Sequence, residues 1–270
     1  MHSQDARHVP MKLTKLQLSQ HFQATPFQGD KDPRGFKVKD HCHLTGTYRG
    51  AAHNKCKFYF FCNRFLPVVM HHLKGYDSHL IIKEAFNINK TLGDRKIDAI
   101  PNSYEKFMSI AIGDLRFIDS CQFMASSLEK LVENLYDKEE NFLNFKYMKK
   151  YFPDHLDLLC QKGYYPYEWV DNIEKLDSIG LPPRESSYSK LNQRSISEKE
   201  YEHANKVYHT LNRSSFKDYH LTYLKTDVLL LADVFENFRK TCLGYYRLDP
   251  ANYLTAPGLA WDAMLLKTNI

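Results

Sequence analysis

No glutamate occurs in this 270-residue sequence before Glu84, and the only carboxylates upstream of Asp77 are Asp5, Asp30, Asp32 and Asp40. None of those four stands in a strand-like apolar setting, which excludes an acidic catalytic pair carried on a strand in that part of the chain. Long apolar runs are also missing. No stretch approaches the ~18 apolar residues of a membrane span, and the N-terminus lacks the charged-then-apolar layout of a secretory signal. The expectation is an intracellular protein without a membrane partner. The six cysteines follow no regular spacing, which excludes a disulfide framework, and Cys121 and Cys160 sit in apolar surroundings as buried thiols.

What is present is enough for a folded core. Hydrophobic residues make up 43% of the chain, and 18 Tyr and 17 Phe stand against only 11 Gly. That composition suits a thick mixed core with ring faces left over for stacking on bases. Lys and Arg exceed Asp and Glu by 37 to 32, a mild basic balance compatible with nucleic acid and also common elsewhere.

Residues 1–37 are polar and basic, with helical spacing around Lys12–Phe22. A segment dense in His and Cys runs from Val38 to Cys56 and ends in the aromatic run Phe58–Phe61. Leu66–Met70 reads as a strand, a polar turn containing Gly75 follows, and Ser78–Phe86 has helical spacing. Tyr104–Ile110 and Asp114–Ile118 read as a hairpin around Ala111–Gly113. Ser126 with Glu129, and Ser197 with Glu200, are capping signatures opening helices to about Tyr136 and Leu211. Prolines scattered through residues 137–195 predict short helices and long loops. Phe216–Cys242 is the longest helical stretch, with Tyr223, Asp227, Leu230, Leu231, Val234 and Phe238 on one side. Interleaved strands and helices make this an α/β chain.

Two acidic motifs stand out. His71-His72-Leu73-Lys74-Gly75-Tyr76-Asp77 follows the apolar strand, so its turn presents Asp77 at a sheet edge. In Tyr223-Leu224-Lys225-Thr226-Asp227 the i,i+4 spacing sets a phenol and a carboxylate on one helix face. Carboxylates gathered on rigid elements are what a two-metal phosphodiester-cleaving site requires. Read singly, Asp77 also fits a turn residue or helix cap, and Asp227 a solvated charge.

Their wording and order resemble a family. PVVMHHLKGYDSHLII (Pro67–Ile82) resembles the second exonuclease motif of protein-primed family B DNA polymerases of the Polinton type and related viruses. In that motif an Asn begins the turn, where this chain has His72. YLKTDVLLLADVF (Tyr223–Phe235) resembles their third motif. LRFIDSCQFMASSLEKL (Leu115–Leu131) resembles the segment ending in a Ser-Leu pair that contacts single-stranded DNA. YYRLDPANYLTAPGLAWDAML (Tyr245–Leu265) resembles the connection toward the palm and terminal-protein regions. The resemblance covers residues 38–270.

It implies an RNase H-like (DnaQ-type) 3′–5′ exonuclease domain with a mixed sheet and flanking helices over residues 63–242, with residues 243–270 starting the polymerase connection. Asp77 and Asp227 would bind Mg²⁺, Tyr223 would orient the attacking water, and His72 would stand in the catalytic turn. Tyr76, Ser127, Leu128 and Lys162 would contact the single-stranded primer end. Asp119 would order the strand end rather than bind metal. The Asp-x-Glu of the first exonuclease motif is missing, as are the palm aspartates, so the resemblance implies a fragment of a nucleotidyltransferase that is inactive alone. Deoxynucleotides and terminal protein would be partners of a full-length form, which would be nuclear in a eukaryotic host.

Residues 1–62 carry the other constellation. Asp40, His41, His43, His53 and Cys56 resemble a degenerate zinc module of the HNH endonuclease VII type, with Gln20 and Gln23 where relatives have cysteines. Substoichiometric Zn²⁺ is the expectation. Two other functions fit the same residues: a metal-dependent HNH nuclease centred on this module, and a catalytically inactive single-stranded DNA-binding module.

Overall fold

The computed structural model describes residues 37–41, 48–53, 65–75, 77–92, 96–103, 106–136, 142–189 and 193–268. The expected helix at Lys12–Phe22 lies outside them. A two-stranded antiparallel ribbon comes first, β1 (Lys37–His41) and β2 (Tyr48–His53).

The main sheet holds β3 (Leu66–Met70), β4 (Ile97–Ser103), β5 (Lys106–Ile112) and β6 (Leu115–Asp119) in the order β3-β6-β5-β4. β3 runs parallel to β6, with Val69 opposite Ile118, and the other pairs are antiparallel. The expected hairpin is therefore present, but its turn is Gly113-Asp114 and not Ala111–Gly113. Gly113 has φ 58°, a left-handed conformation that glycine adopts at no steric cost, and this fixes the turn position. β4 went unread in the sequence because Pro101 interrupts it. Proline cannot donate to a ladder, so it suits this terminal strand, and the pairing register slips at Pro101.

Helix α1 (Asp77–Leu92) follows β3 and lies against β5, where the His79 ring meets Phe107 edge-on at 5.8 Å. Further on come α2 (Leu128–Leu135), α3 (Lys146–Tyr151), α4 (Leu156–Leu159), the short pair β7 (Tyr188–Ser189) and β8 (Arg194–Ser195), then α5 (Glu198–Thr210), α6 (Phe216–Tyr246) and α7 (Ala256–Thr268). The cap of α2 is Ser127, whose Oγ accepts from the N–H of Lys130 at 3.3 Å, one residue later than the sequence signature at Ser126. Both α5 and α6 open with full capping boxes, Ser197 with Glu200 and Ser215 with Asp218.

α6 is the spine. At 31 residues it is about 46 Å long. Phe216, Tyr219, Leu230 and Val234 enter a core with Val132, Phe145, Met148, Leu158 and Val207. Farther along, Phe235 and Phe238 meet Ile118 of β6 and Val69 of β3, so this part of the helix packs on the mixed sheet.

Asp233 fastens α3 to this spine. It is 1% exposed, and its carboxylate accepts from the N–H groups of Tyr147 and Met148 at 2.8 and 3.0 Å, which otherwise have no partner in the first turn of α3. Asp233→Ala is expected to cost about 2–3 kcal/mol, because two charge-assisted bonds are lost and buried donors remain. A urea titration reading a loss under about 0.5 kcal/mol would contradict this.

Candidate nucleic-acid and metal site

Two loops carry the candidate residues. The first is the turn after β3. Asp119, at the end of β6 and 1% exposed, takes three backbone donors: Oδ1 accepts from the N–H of His72 at 3.1 Å and of Cys121 at 3.0 Å, and Oδ2 from Lys74 at 3.0 Å. The carboxylate thus closes the turn onto its neighbouring strand, in agreement with the ordering role read from sequence. Within the turn, Gly75 N–H donates to His72 O and Ser78 N–H to Leu73 O, both at 3.1 Å. His72 has φ 63°. That region is open mainly to Gly, Asn, Asp and His, so an imidazole is tolerated here where most side chains are strained.

Asp77 is the first residue of α1 and half-buried, in the first turn where a negative charge is favoured by the helix dipole. His71 lies beneath the turn. Its pKa is lowered, first by burial and then by the His72 charge, with Asp119 and the Ser126 carbonyl opposing and Lys162 adding to the fall. The second loop carries Lys162.

That second loop, residues 161–167, lies along α6. The Lys162 ammonium donates to Asp227 Oδ2 and to Tyr223 Oη, the latter at 2.9 Å. It also stands 4.9 Å from the centre of the Tyr223 ring. The Tyr167 and Tyr223 hydroxyls share a hydrogen bond of 2.9 Å, and the Tyr165 ring covers Tyr223 at 4.9 Å. Gly163 permits this approach, since a Cβ there would come within 3.2 Å of the Tyr223 ring. Tyr223 is 7% exposed, and its pKa is pushed far up, by burial first and the Asp227 charge second, so it stays a neutral phenol. Asp227 Oδ1 is buried and has no hydrogen-bond partner among the described residues.

Residues 60–268 match the family described as DNA polymerase type B, organellar and viral. The chain belongs to this family of DNA polymerases. No curated protein and no solved structure matches it. Its mixed α/β fold is consistent with the exonuclease-like region of a family B polymerase, and no helix among the described residues is long and apolar enough to cross a membrane.

The polymerase motifs place the other expected residues as follows. Ser127 is exposed and caps α2, and Leu128 is half-buried against the α6 core. Both therefore have structural duties at the start of one helix. Asp40 and His41 lie on β1 and His53 on β2, where the register sets His41 opposite Tyr48 and His53 opposite Lys37, at opposite ends of the ribbon. Tyr76, His43 and Cys56 lie outside the described residues.

Sequence reasoning missed two partnerships. The Lys162 ammonium was expected on a DNA phosphate, and it is held by Asp227 and Tyr223; Gly163, next to it in an aromatic run, was the available signal of close packing. The proximity of His71, His72 and Cys121 had no signal, because 49 residues separate His72 from Cys121 and only the parallel pairing of β3 with β6 joins them.

Proposed function

We propose that this chain is the 3′–5′ proofreading exonuclease region of a protein-primed family B DNA polymerase, RNase H-like in fold, that binds the single-stranded 3′ end of a primer. The observation that carries the proposal is the joining of Lys162 to Tyr223 and Asp227, a pair from a separate motif, at a carboxylate whose buried oxygen has no partner among the described residues. A buried carboxylate oxygen without a donor is costly unless a cation meets it, and hard oxygen donors are what Mg²⁺ prefers. Asp227 Oδ1 offers one such donor, and Asp77 is the second residue that would hold the ion. Bound Mg²⁺ would supply charge neutralisation at the scissile phosphate. The protein's own groups do the rest. Lys162 offers a positive charge to phosphate, neutral Tyr223 offers a hydroxyl to orient water, and Asp119 keeps the turn that carries His72 and leads to Asp77 in one shape.

With the Asp-x-Glu pair missing, the chain binds DNA and degrades it poorly. Residues 1–62 form the degenerate zinc module in this reading, and residues 243–270 lead toward the palm. Fluorescence anisotropy on a labelled oligonucleotide across a salt series tests the binding. A single strand should bind more tightly than a duplex, with affinity falling as salt rises. Each phosphate neutralised on a single strand contributes about −0.7 to the slope of log K against log salt, so Lys162→Met should flatten it by about that amount. Equal affinity for duplex and single strand, or a salt-independent affinity, would defeat the reading.

A further inference from the structure

Neighbouring side chains on a strand point to opposite faces, so adjacent histidines there do not share a ligand. At the end of β3 the chain leaves that geometry. The left-handed φ of His72 brings its imidazole beside that of His71, with ring centres 4.6 Å apart and planes at 72°. Cys121, just past the end of β6, completes the group, and one ligand atom from each of His71, His72 and Cys121 lies within 4.8 Å of the others.

We propose that His71, His72 and Cys121 form a site for a zinc-like divalent ion, with three protein ligands and one position left to water. This inference does not depend on the exonuclease reading. Two imidazoles and a thiolate are the donors of Zn²⁺ and its chemical neighbours, and they are poor ligands for Mg²⁺, which takes oxygen.

The hydrogen bonds favour one tautomer of His71. Ser120 Oγ lies 3.0 Å from the Met70 carbonyl oxygen and 2.8 Å from His71 Nδ1, so with its proton on the carbonyl it accepts from the imidazole. Nε2 then carries the lone pair. Cys121 Sγ is nearly equidistant from the two ring nitrogens, 3.7 Å from Nε2 and 3.4 Å from Nδ1. Sharing an ion with Nε2 takes a turn of the Cys121 side chain, while the contact with Ser120 is the outer hydrogen bond that fixes a ligating imidazole. Asp119 fixes the backbone of the other two, since the N–H groups of His72 and Cys121 both donate to its Oδ1. His72 is exposed while its two partners are half-buried, which leaves a path for the ion from solvent. On binding, the Cys121 thiol gives its proton to water and ligates as thiolate.

Cobalt(II) is the probe, titrated into the full chain in a phosphine reductant that does not compete as a thiol. Expected are a sulfur-to-cobalt charge-transfer band and the strong visible bands of a tetrahedral centre. Cys121→Ser should remove the charge-transfer band. His72→Asn, which keeps a residue tolerant of left-handed φ, should weaken binding by more than the roughly 10–100-fold that loss of an outer partner costs, and Ser120→Ala should fall within that range. Cys56→Ser, in the N-terminal His/Cys segment, should leave the spectrum unchanged. The proposal is overturned if the charge-transfer band survives Cys121→Ser, if Cys56→Ser abolishes it, or if the parent chain shows only the pale spectrum of octahedral cobalt. Should Cys121→Ser not fold by circular dichroism, the His72→Asn titration decides: unchanged affinity overturns the proposal.

Discussion

Asp119→Ala is expected to destabilise the chain by about 3–5 kcal/mol, and it should do so without any ligand present. The carboxylate accepts three backbone N–H groups, from His72, Lys74 and Cys121, in a place that water does not reach. A hydrogen bond to a charged group contributes roughly 1.5–3 kcal/mol, and a buried donor left alone adds a penalty of similar size. These terms overlap, since the turn can partly open to water once its anchor is gone, and the sum is therefore held below three full bonds. Asp119→Asn separates charge from shape. Its carbonyl oxygen can keep the two donors now on Oδ1, but its amide group would face the Lys74 N–H, donor against donor, so the loss should be intermediate. Equilibrium urea unfolding of the three proteins provides the order. A metal-ligand role for Asp119 would predict the reverse, a variant of normal stability that has lost only metal-dependent properties.

Much of this architecture is legible in sequence, and the reasons differ by element. β3 is read to the residue because Leu66–Met70 is a short apolar run closed by a turn. The capping box at Ser197 and Glu200 fixes the start of α5, and the apolar face of α6 emerges from its 3.6-residue spacing. Where local signals compete, reading fails by small amounts. Ser126 and Ser127 are adjacent and equally able to cap, and only the backbone decides that Ser127 does so. α6 continues a turn past Cys242, through an exposed Gly244, and stops at Arg247 in a left-handed conformation that no sequence rule predicts for arginine.

The site is less legible than the fold because its partners are distant in sequence. Spacing along one helix reveals Tyr223 with Asp227. It says nothing of Lys162, which reaches them only because residues 161–167 run along α6 and because Gly163 leaves room beside the ring. The family resemblance implies an ordering role for Asp119, and what could not be read is that it holds two residues of the opposite turn, through the parallel pairing of β3 with β6.

Catalysis is expected to appear only when further carboxylates are supplied. In the proposed site Asp77 and Asp227 would bring two negative charges to a cluster that must balance two Mg²⁺ ions, and the Lys162 ammonium already neutralises that of Asp227. Mg²⁺ gives up its water shell reluctantly, so such a charge-poor site holds it weakly. DNA binding through stacking and phosphate neutralisation does not need the metals. The chain should therefore retain single-stranded DNA while showing no 3′–5′ degradation and no nucleotide incorporation. Fusing a strand that carries Asp-x-Glu upstream should raise degradation by roughly 10²–10³-fold, the scale on which one preorganised electrostatic partner of a transition state is felt. β3 gives that strand a place, because among the described residues it ends the order β3-β6-β5-β4 and its outer edge is free to pair. Asp227→Ala in the fused chain should return degradation to background while single-strand affinity stays within a few fold. Rapid Mg²⁺-dependent degradation by the chain as it stands, abolished by Asp227→Ala, would show that its carboxylates already suffice. A fused chain that binds DNA and Mg²⁺ yet leaves the 3′ end intact would remove Asp77 and Asp227 from the catalytic role.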